Sequence, residues 1–447
     1  MALRISLALF TSMIALTPAR ADDPVQLREG YAPGYQYHVS TRVDLAGQLQ
    51  LPPDMNGKNP QLPRTLPVKG NSAIEYDERV LALDAGRDVH KTLRLYRRFD
   101  LERQVGSEAM QKSTIRTAVR RLVLLRHQHA EVPFSPDGPL TWGEIDLVRT
   151  DVFTPALAGL FPEHAVRPGE SWFAREGAIL ELTDLEKIEA GRLTCRLEQV
   201  TKLAGRSVAR VAFTGTVSGV NEDGPNRQAL EGFCYFDLGS RHLSYLTLKG
   251  THILLDKESK EMGRIEGRFT LTRELRDNRE LSDEVTRGLA LEPSDDNTQL
   301  LYDNPELGVR FQHSRRWKVL YVRGTQLALD DGAGNGVLVS MEAAERVPSA
   351  AQFQQEARGW LEQQKASVRR ISSPVRTGDR DRTQESFTME VEQEGKPALL
   401  DYHLIRQPLG GATLAVRLAP ASAASVRKDI ERITRSFTVT ATIKPPR

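Results

Sequence analysis

Apolar and polar residues alternate with a period of two in eight stretches of this chain, and no other feature of the sequence limits the fold as tightly. The stretches are Ser72 to Leu83, Val89 to Arg103, Ser113 to His129, Leu193 to Lys202, Val208 to Val217, Leu230 to Leu238, His242 to Leu255 and Gly263 to Glu274. Successive side chains of a strand point to opposite faces, so the pattern marks strands with one buried and one wetted face. Turn residues separate them, such as Leu203-Ala204-Gly205, Asn221 to Pro225 and Leu238-Gly239-Ser240. Together they predict one large antiparallel sheet. Two stretches leave the pattern. Thr141 to Leu160 has helical spacing (Trp142, Ile145, Val148 or Val152, Ala156, Leu160), with Thr141 as a cap and Glu144 three residues later, and Ala174 to Ile188 is a second helix candidate.

Ahead of the sheet, Asp22 to Pro67 is rich in Pro, Gly and polar residues, which predicts an extended lead-in and a long loop around one strand at Tyr35 to Leu45. After it, Arg276 to Asn304 is charged and contains Pro293-Ser294-Asp295-Asp296-Asn297, the composition of a linker. A new pattern starts at Tyr302. Strands are expected at Val309 to Gln312, Lys318 to Val322, Gln326 to Asp330 and Gly336 to Ala343, then a helix at Ser349 to Lys365. Strands at Arg382 to Gln393, Pro397 to Gln407 and Ala412 to Leu418 precede a helix at Ala421 to Ile433 and a short strand around Phe437. The expected organisation is a leader at 1–21, a β-rich domain with two helical segments at 22–275, a charged linker at 276–301, an α+β domain at 302–440 and a basic tail at 441–447.

The leader reading rests on Arg4, the apolar run Ile5 to Leu16 and the small-x-small pattern Ala19-Arg20-Ala21, which places cleavage before Asp22. That run is too short to span a bilayer core of roughly 30 Å as a helix. The expectation is an exported protein, periplasmic or extracellular, without a transmembrane anchor. Lys plus Arg (61) and Asp plus Glu (59) nearly cancel, which argues against nucleic acid as a partner. A local basic excess runs from Lys91 to Arg126, including Arg97, Arg98, Arg120 and Arg121, and is read as solvent-facing strand positions. The two cysteines, Cys195 and Cys234, are even in number and suit one bridge in an oxidising compartment. They lie in strand-like runs with a third run between them, and in a simple meander two inter-strand spacings give about 9.5 Å, beyond disulfide reach.

Asn304-Pro305-Glu306-Leu307-Gly308-Val309-Arg310-Phe311, followed by Trp317 and later by Arg435-Ser436-Phe437, resembles the PsbP/DcrB-like domain over roughly Leu301 to Val439; His313-Ser314 replaces the usual Tyr-Pro at the end of its opening strand. The resemblance implies an α-β-α sandwich used as an accessory or assembly module, with no catalytic residues. In the first domain, Val166-Arg167-Pro168-Gly169-Glu170-Ser171-Trp172 and Gly232-Phe233-Cys234-Tyr235-Phe236-Asp237 are similar to pieces of LolA/LppX-type half-barrels. That likeness implies a curved sheet around an apolar cavity, with a lipid or lipoprotein ligand. The fold class expected is therefore α+β, a large curved antiparallel sheet with helices followed by an α-β-α sandwich.

No arrangement of residues announces chemistry. His127-Gln128-His129 puts two imidazoles on one strand face, but Glu131 is the only carboxylate close by, so no metal is expected. Asp330-Asp331-Gly332-Ala333-Gly334-Asn335-Gly336 has Val337 where a dinucleotide fingerprint needs its third glycine, and reads as a hairpin turn. Phe134 to Leu140, with two prolines flanking Asp137-Gly138, reads as a rigid turn into the Thr141 cap. Trp142, Trp172 and Trp317 sit in apolar patterns as core residues; Trp360, with Phe353, Ala357 and Leu361, is expected on the helix face that lies on the second sheet. No catalytic residue and no cofactor is expected. The leading functional reading is a non-enzymatic binding or envelope-associated protein that holds an apolar ligand, lipid or envelope protein on the curved sheet. The alternative is an envelope-polymer hydrolase using first-domain carboxylates such as Glu144, Asp146, Asp151 and Glu181.

Overall fold

Alternation becomes strands far longer than the five or six residues usual in globular proteins. In the structure, a computed structural model describing residues 23–51, 64–127, 130–393 and 395–443, the first sheet has twelve strands. These are β1 (Gln36–Leu51), β2 (Arg64–Leu83), β3 (Val89–Val105), β4 (Gln111–Ser113), β5 (Arg121–His127), β6 (Ala130–Phe134), β7 (Ser171–Phe173), β8 (Lys187–Leu203), β9 (Arg206–Asn221), β10 (Gly224–Asp237), β11 (His242–Leu255) and β12 (Glu261–Leu275). Their order is β6-β5-β3-β2-β1-β12-β11-β10-β9-β8-β7, with β4 pairing beside β3. The chain thus runs through two meanders, and β1 and β12 join them along an antiparallel register from Tyr37 opposite Leu275 to Leu49 opposite Gly263. Between β6 and β8 lie α1 (Trp142–Arg149), a 3-10 helix at Thr154–Leu160 and α2 (Glu176–Thr183); a short α3 (Asp283–Thr286) follows the sheet.

The chain divides into two compact units. Among the described residues, one comprises those within 1–114, 124–132 and 150–287, the other those within 115–123, 133–149 and 288–447. The second unit therefore recruits α1, whose capping box is complete: the Glu144 amide donates to Thr141 Oγ1 at 3.1 Å, and the Thr141 amide donates to Glu144 Oε2 at 2.9 Å. Arg116 grips the same carboxylate through Nε at 2.7 Å and Nη2 at 2.6 Å. The Leu301 amide donates to the Leu140 carbonyl at 2.7 Å, tying the turn before α1 to the following part of the same unit.

That unit holds β13 (Leu300–Asn304), β14 (Val309–His313), β15 (Lys318–Arg323), β16 (Gln326–Asp330), β17 (Gly336–Glu342), α4 (Ala350–Gln363), β18 (Ser367–Ile371), β19 (Val375–Gly378), β20 (Thr383–Gln393), β21 (Lys396–Gln407), β22 (Gly410–Leu418), α5 (Ala423–Ser436) and β23 (Thr438–Val439). Its sheets have eight strands, β15-β16-β17-β22-β21-β20-β18 with β19 beside β20, and three, β13-β14-β23. One core gathers Phe311, Trp317, Leu329, Met341, Leu414 and Phe437 against Val426, Ile430 and Ile433 of α5; another gathers Phe387, Met389 and Leu404 against Ala357 and Leu361 of α4. Asn335 closes the Asp330-to-Gly336 hairpin turn from inside, bonding Asp331 Oδ2 at 2.7 Å and accepting from the Ala419 amide at 2.8 Å.

This architecture overturns the expected α+β class and its α-β-α sandwich. The chain is 54% strand and 16% helix, nearly all β, in three antiparallel sheets. The physical reason is that segments taken as connections are strands. Leu300–Asn304 pairs with β14, and the basic, solvent-facing runs Ser367–Ile371 and Val375–Gly378 pair with β20. Trp360 is a second correction: it is 58% exposed, not on the covered face of α4. The buried stripe advances through Ala350, Ala357 and Leu361, with Phe353 packed against it, and Trp360 is rotated about 100° from Leu361. The expected long loop at 52–63, the cleavage residues Ala19, Ala21 and Asp22, and the end of the basic tail lie outside the described residues.

Trp317 is fully buried in the α5 core. Trp317→Ala is expected to cost roughly 3–5 kcal/mol in denaturant unfolding followed by circular dichroism. A loss below about 0.5 kcal/mol, the range of an ordinary surface change, would mean that this core does not carry the unit.

Candidate functional site

Strands β1, β2 and β3 bring a set of ionisable side chains together inside the first unit. Tyr37 and Glu78 are registered partners on β1 and β2, so their side chains share a face, and the Tyr37 hydroxyl donates to Glu78 Oε2 at 2.6 Å. Arg94 on β3 donates through Nε to Glu78 Oε1 at 2.8 Å, through Nη1 to Asp151 Oδ2 at 2.8 Å and through Nη2 to the Val152 carbonyl at 3.0 Å. Tyr96 donates to Asp151 at 3.2 Å and Thr154 to Glu78 at 3.2 Å. The guanidinium lies 4.3 Å from the Tyr76 ring centroid. Arg94 is 1% exposed and Glu78 0%, so a cation sealed from water is matched by two carboxylates, as burial of charge demands.

Beside it, Arg126 bonds Glu181, and the Phe153 amide donates to the same carboxylate at 2.5 Å. Burial pushes the Asp151 carboxyl up to about 7 against the pull of Arg94, and the Glu131 carboxyl up to about 7 against Arg94 and Arg126. A second hub ties the lead-in to β12. Arg273 Nη2 donates to Glu29 at 2.7 and 2.5 Å, and Glu29 also accepts from the Leu243 amide at 3.0 Å.

Of the carboxylates named for a hydrolase, Glu144 is held by Arg116 and the α1 cap, Asp146 is exposed on α1, Asp151 accepts from Arg94 and Glu181 from Arg126. Among the described residues no three His, Cys, Asp or Glu side chains are placed to hold a metal; the side chains of His127 and His129 lie outside them. Cys195 and Cys234 are free, buried thiols. Cys195 stands opposite Phe213 and Cys234 opposite Val211, so β9 separates them, and burial raises both thiols, Cys195 to about 12.

A row of glycines crosses the same sheet, which the sequence does not reveal because its members come from distant strands. Register places Arg103, Gly70, Leu45, Gly267, Gly250, Leu230, Gly215 and Leu193 side by side on β3, β2, β1, β12, β11, β10, β9 and β8. Leucines lie over the glycines: a Cβ on Gly70 would meet Leu45 Cδ1 at 3.1 Å, one on Gly250 would meet Leu230 Cδ2 at 3.1 Å, and one on Gly215 would meet Leu193 Cδ2 at 2.9 Å. On this face Leu193, Val217 and Leu230 are buried, and the Gln228 side chain bonds the last carbonyl of α2 at 2.6 Å. Toward β1, β2, β11 and β12 the same face carries Val43, Leu45, Leu49, Leu66, Leu254, Ile265 and Phe269, all partly exposed. An open hollow of about 890 Å³ follows the row. Its lining mixes the charged residues Asp44, Lys69, Glu231, Lys249, Glu266 and Arg268 with Leu45, Ala46, Met110, Ala229 and Leu230; the charged residues are sequence neighbours of the row and so project from the opposite face.

The raised carboxyls set a pH dependence. In the window between the ordinary carboxylate range near 4 and about 7, the folded chain holds protons that the unfolded chain has released, so stability falls as pH rises through that window and levels off above it. Glu131→Gln is expected to flatten the slope and to raise stability at pH 8 by roughly 2–3 kcal/mol, measured as denaturant unfolding against pH. An unchanged slope would overturn the assignment.

No protein-family model matches the chain, and no curated protein matches it. Among solved structures, the cyanobacterial PsbP protein of Synechocystis sp. PCC 6803 is 10% identical over 32% of this chain and 92% of its own, with a TM-score of 0.27. The Ran-binding protein Mog1p of Saccharomyces cerevisiae is 9% identical over 32% of this chain and 96% of its own, at 0.24. Lipovitellin is 10% identical over 66% of this chain and 29% of its own, at 0.34. The PsbP likeness thus covers about a third of the chain at about 10% identity, and nothing in the comparisons supports the LolA/LppX likeness. TM-scores this low carry no argument about function. No helix among the described residues is long and apolar enough to cross a membrane.

Proposed function

We propose that this chain is an exported, non-enzymatic binding protein that holds an apolar ligand of lipid type on the glycine-crossed face of its first sheet. One observation supports the reading above the others: Val43, Leu45, Leu49, Leu66, Leu254, Ile265 and Phe269, on that face of β1, β2, β11 and β12, are partly exposed. A folded chain does not ordinarily leave a contiguous apolar patch in water without a use for it. Gly70, Gly250 and Gly267 keep the patch low, and the leucines folded over Gly70 and Gly250 present methyl groups across which an extended hydrocarbon chain lies. The buried arginine hubs favour binding over catalysis, because each spends its carboxylates on holding segments to the sheet. The assembly-module reading implied by the PsbP/DcrB-like resemblance belongs with this proposal, the second unit serving as the accessory part.

The test titrates the purified chain with a fluorescent fatty acid. Saturable binding is expected, and Leu45→Asp combined with Phe269→Asp, both at partly exposed positions, should weaken it by about tenfold or more. Native mass spectrometry of protein from its own host should show a co-purified lipid, and sequencing of that protein should find Asp22 at its start. A wild-type chain that fails to bind the probe, or a double variant that binds it equally well, would sink the proposal.

A further inference from the structure

Strand β15 forms one edge of the eight-stranded sheet, and its partner there is β16. All six of its residues are exposed. Four of them are large and apolar: Val319 is 38% exposed, Leu320 63%, Tyr321 38% and Val322 42%. A free edge offers unpaired N–H and C=O groups as a template for another strand, and folded proteins ordinarily guard such edges with charge, proline or a bulge. The guard here is partial. A register shift between Val319 and Tyr321 bulges the strand at Leu320, and Tyr321 to Arg323 continue in regular pairing with β16. Charge stands only at the ends, on Lys318 and Arg323.

We propose that β15 is a docking edge for an extended peptide segment of a partner protein, one with an apolar, β-branched centre and an acidic residue on each flank. Strand addition takes its affinity from main-chain hydrogen bonds and its selectivity from the side chains along the edge. On this edge the centre is apolar and both ends are cationic. Among the described residues neither Lys318 nor Arg323 makes an ion pair, although Lys318 stands opposite Asp330 in register. Arg323 lies over the Tyr321 ring at 5.2 Å, which leaves its guanidinium free to take up a carboxylate. A second copy of the chain fits less well, because antiparallel pairing centred on this strand would set Lys318 against Arg323 at both ends, and like charges placed opposite one another destabilise a ladder.

The experiment uses the full chain and two labelled peptides, each of alternating valine and threonine, one flanked by paired glutamates and the other by paired lysines. Fluorescence anisotropy should show a preference for the glutamate-flanked peptide on the order of tenfold. Leu320→Glu combined with Val322→Glu should abolish binding, and Lys318→Glu combined with Arg323→Glu should reverse the preference. All four positions are exposed, so circular dichroism should show the fold of each variant intact. The proposal is overturned if the two peptides bind alike, if neither binds at millimolar concentration, or if sedimentation shows a dimer that Leu320→Glu dissolves, which would give the edge to a second copy.

Discussion

A guanidinium sealed from water needs carboxylate partners, and Arg94 imposes that condition on the strands and segment around it. Its carboxylate partners come from β2 and from the segment after α1, and further N–H groups meet the Tyr96 hydroxyl and the Val152 carbonyl. Because β1 to β3 are held in one register, Tyr37, Glu78 and Arg94 arrive at the same place only if every intervening pair is correct. A slip of one residue would turn Arg94 outward and leave Glu78 buried without its cation. Buried ion pairs add little net stability over an apolar core, but breaking one is costly, on the order of 3–5 kcal/mol. The network is therefore better understood as fixing one arrangement than as supplying stability.

The glycine row and the arginine hub divide the same face between them. At the hub, tyrosines and carboxylates fill the space between the sheet and residues 151–154. Along the row, glycine removes side-chain bulk from four of eight neighbouring strands, and leucines fold down into the gaps. The result is a surface that changes from polar and sealed to apolar and accessible within a few residues of each strand.

Much of the sheet was legible in the sequence because alternation depends on local chemistry alone. The runs from Leu193 to Glu274 became β8 to β12 with only shifted ends. What alternation could not give was the polarity of the inner face. Arg94 and Arg273 sit at inward positions of their strands, and only the arrival of Glu78, Asp151 and Glu29 from elsewhere in the chain makes that tolerable. The basic excess from Lys91 to Arg126 was therefore misjudged at Arg94 and Arg126, which face carboxylates. Short strands such as β18 and β19 were missed because they are brief and largely exposed, with only Val368 and Ile371 of β18 packed against the α4 core. The candidate surface was less legible still, since Gly70, Gly215, Gly250 and Gly267 become neighbours only through register.

The discontinuous make-up of the second unit has a consequence for how such a protein can be cut or shuffled. Residues 115–123 and 133–149 belong to it, yet they are encoded well upstream of Gly288. A fragment starting at the apparent linker would lack α1 and the Arg116–Glu144 clasp, so recombination at that point would not transplant a finished module. Inheritance as a single piece is the simplest route by which the two units could have stayed together.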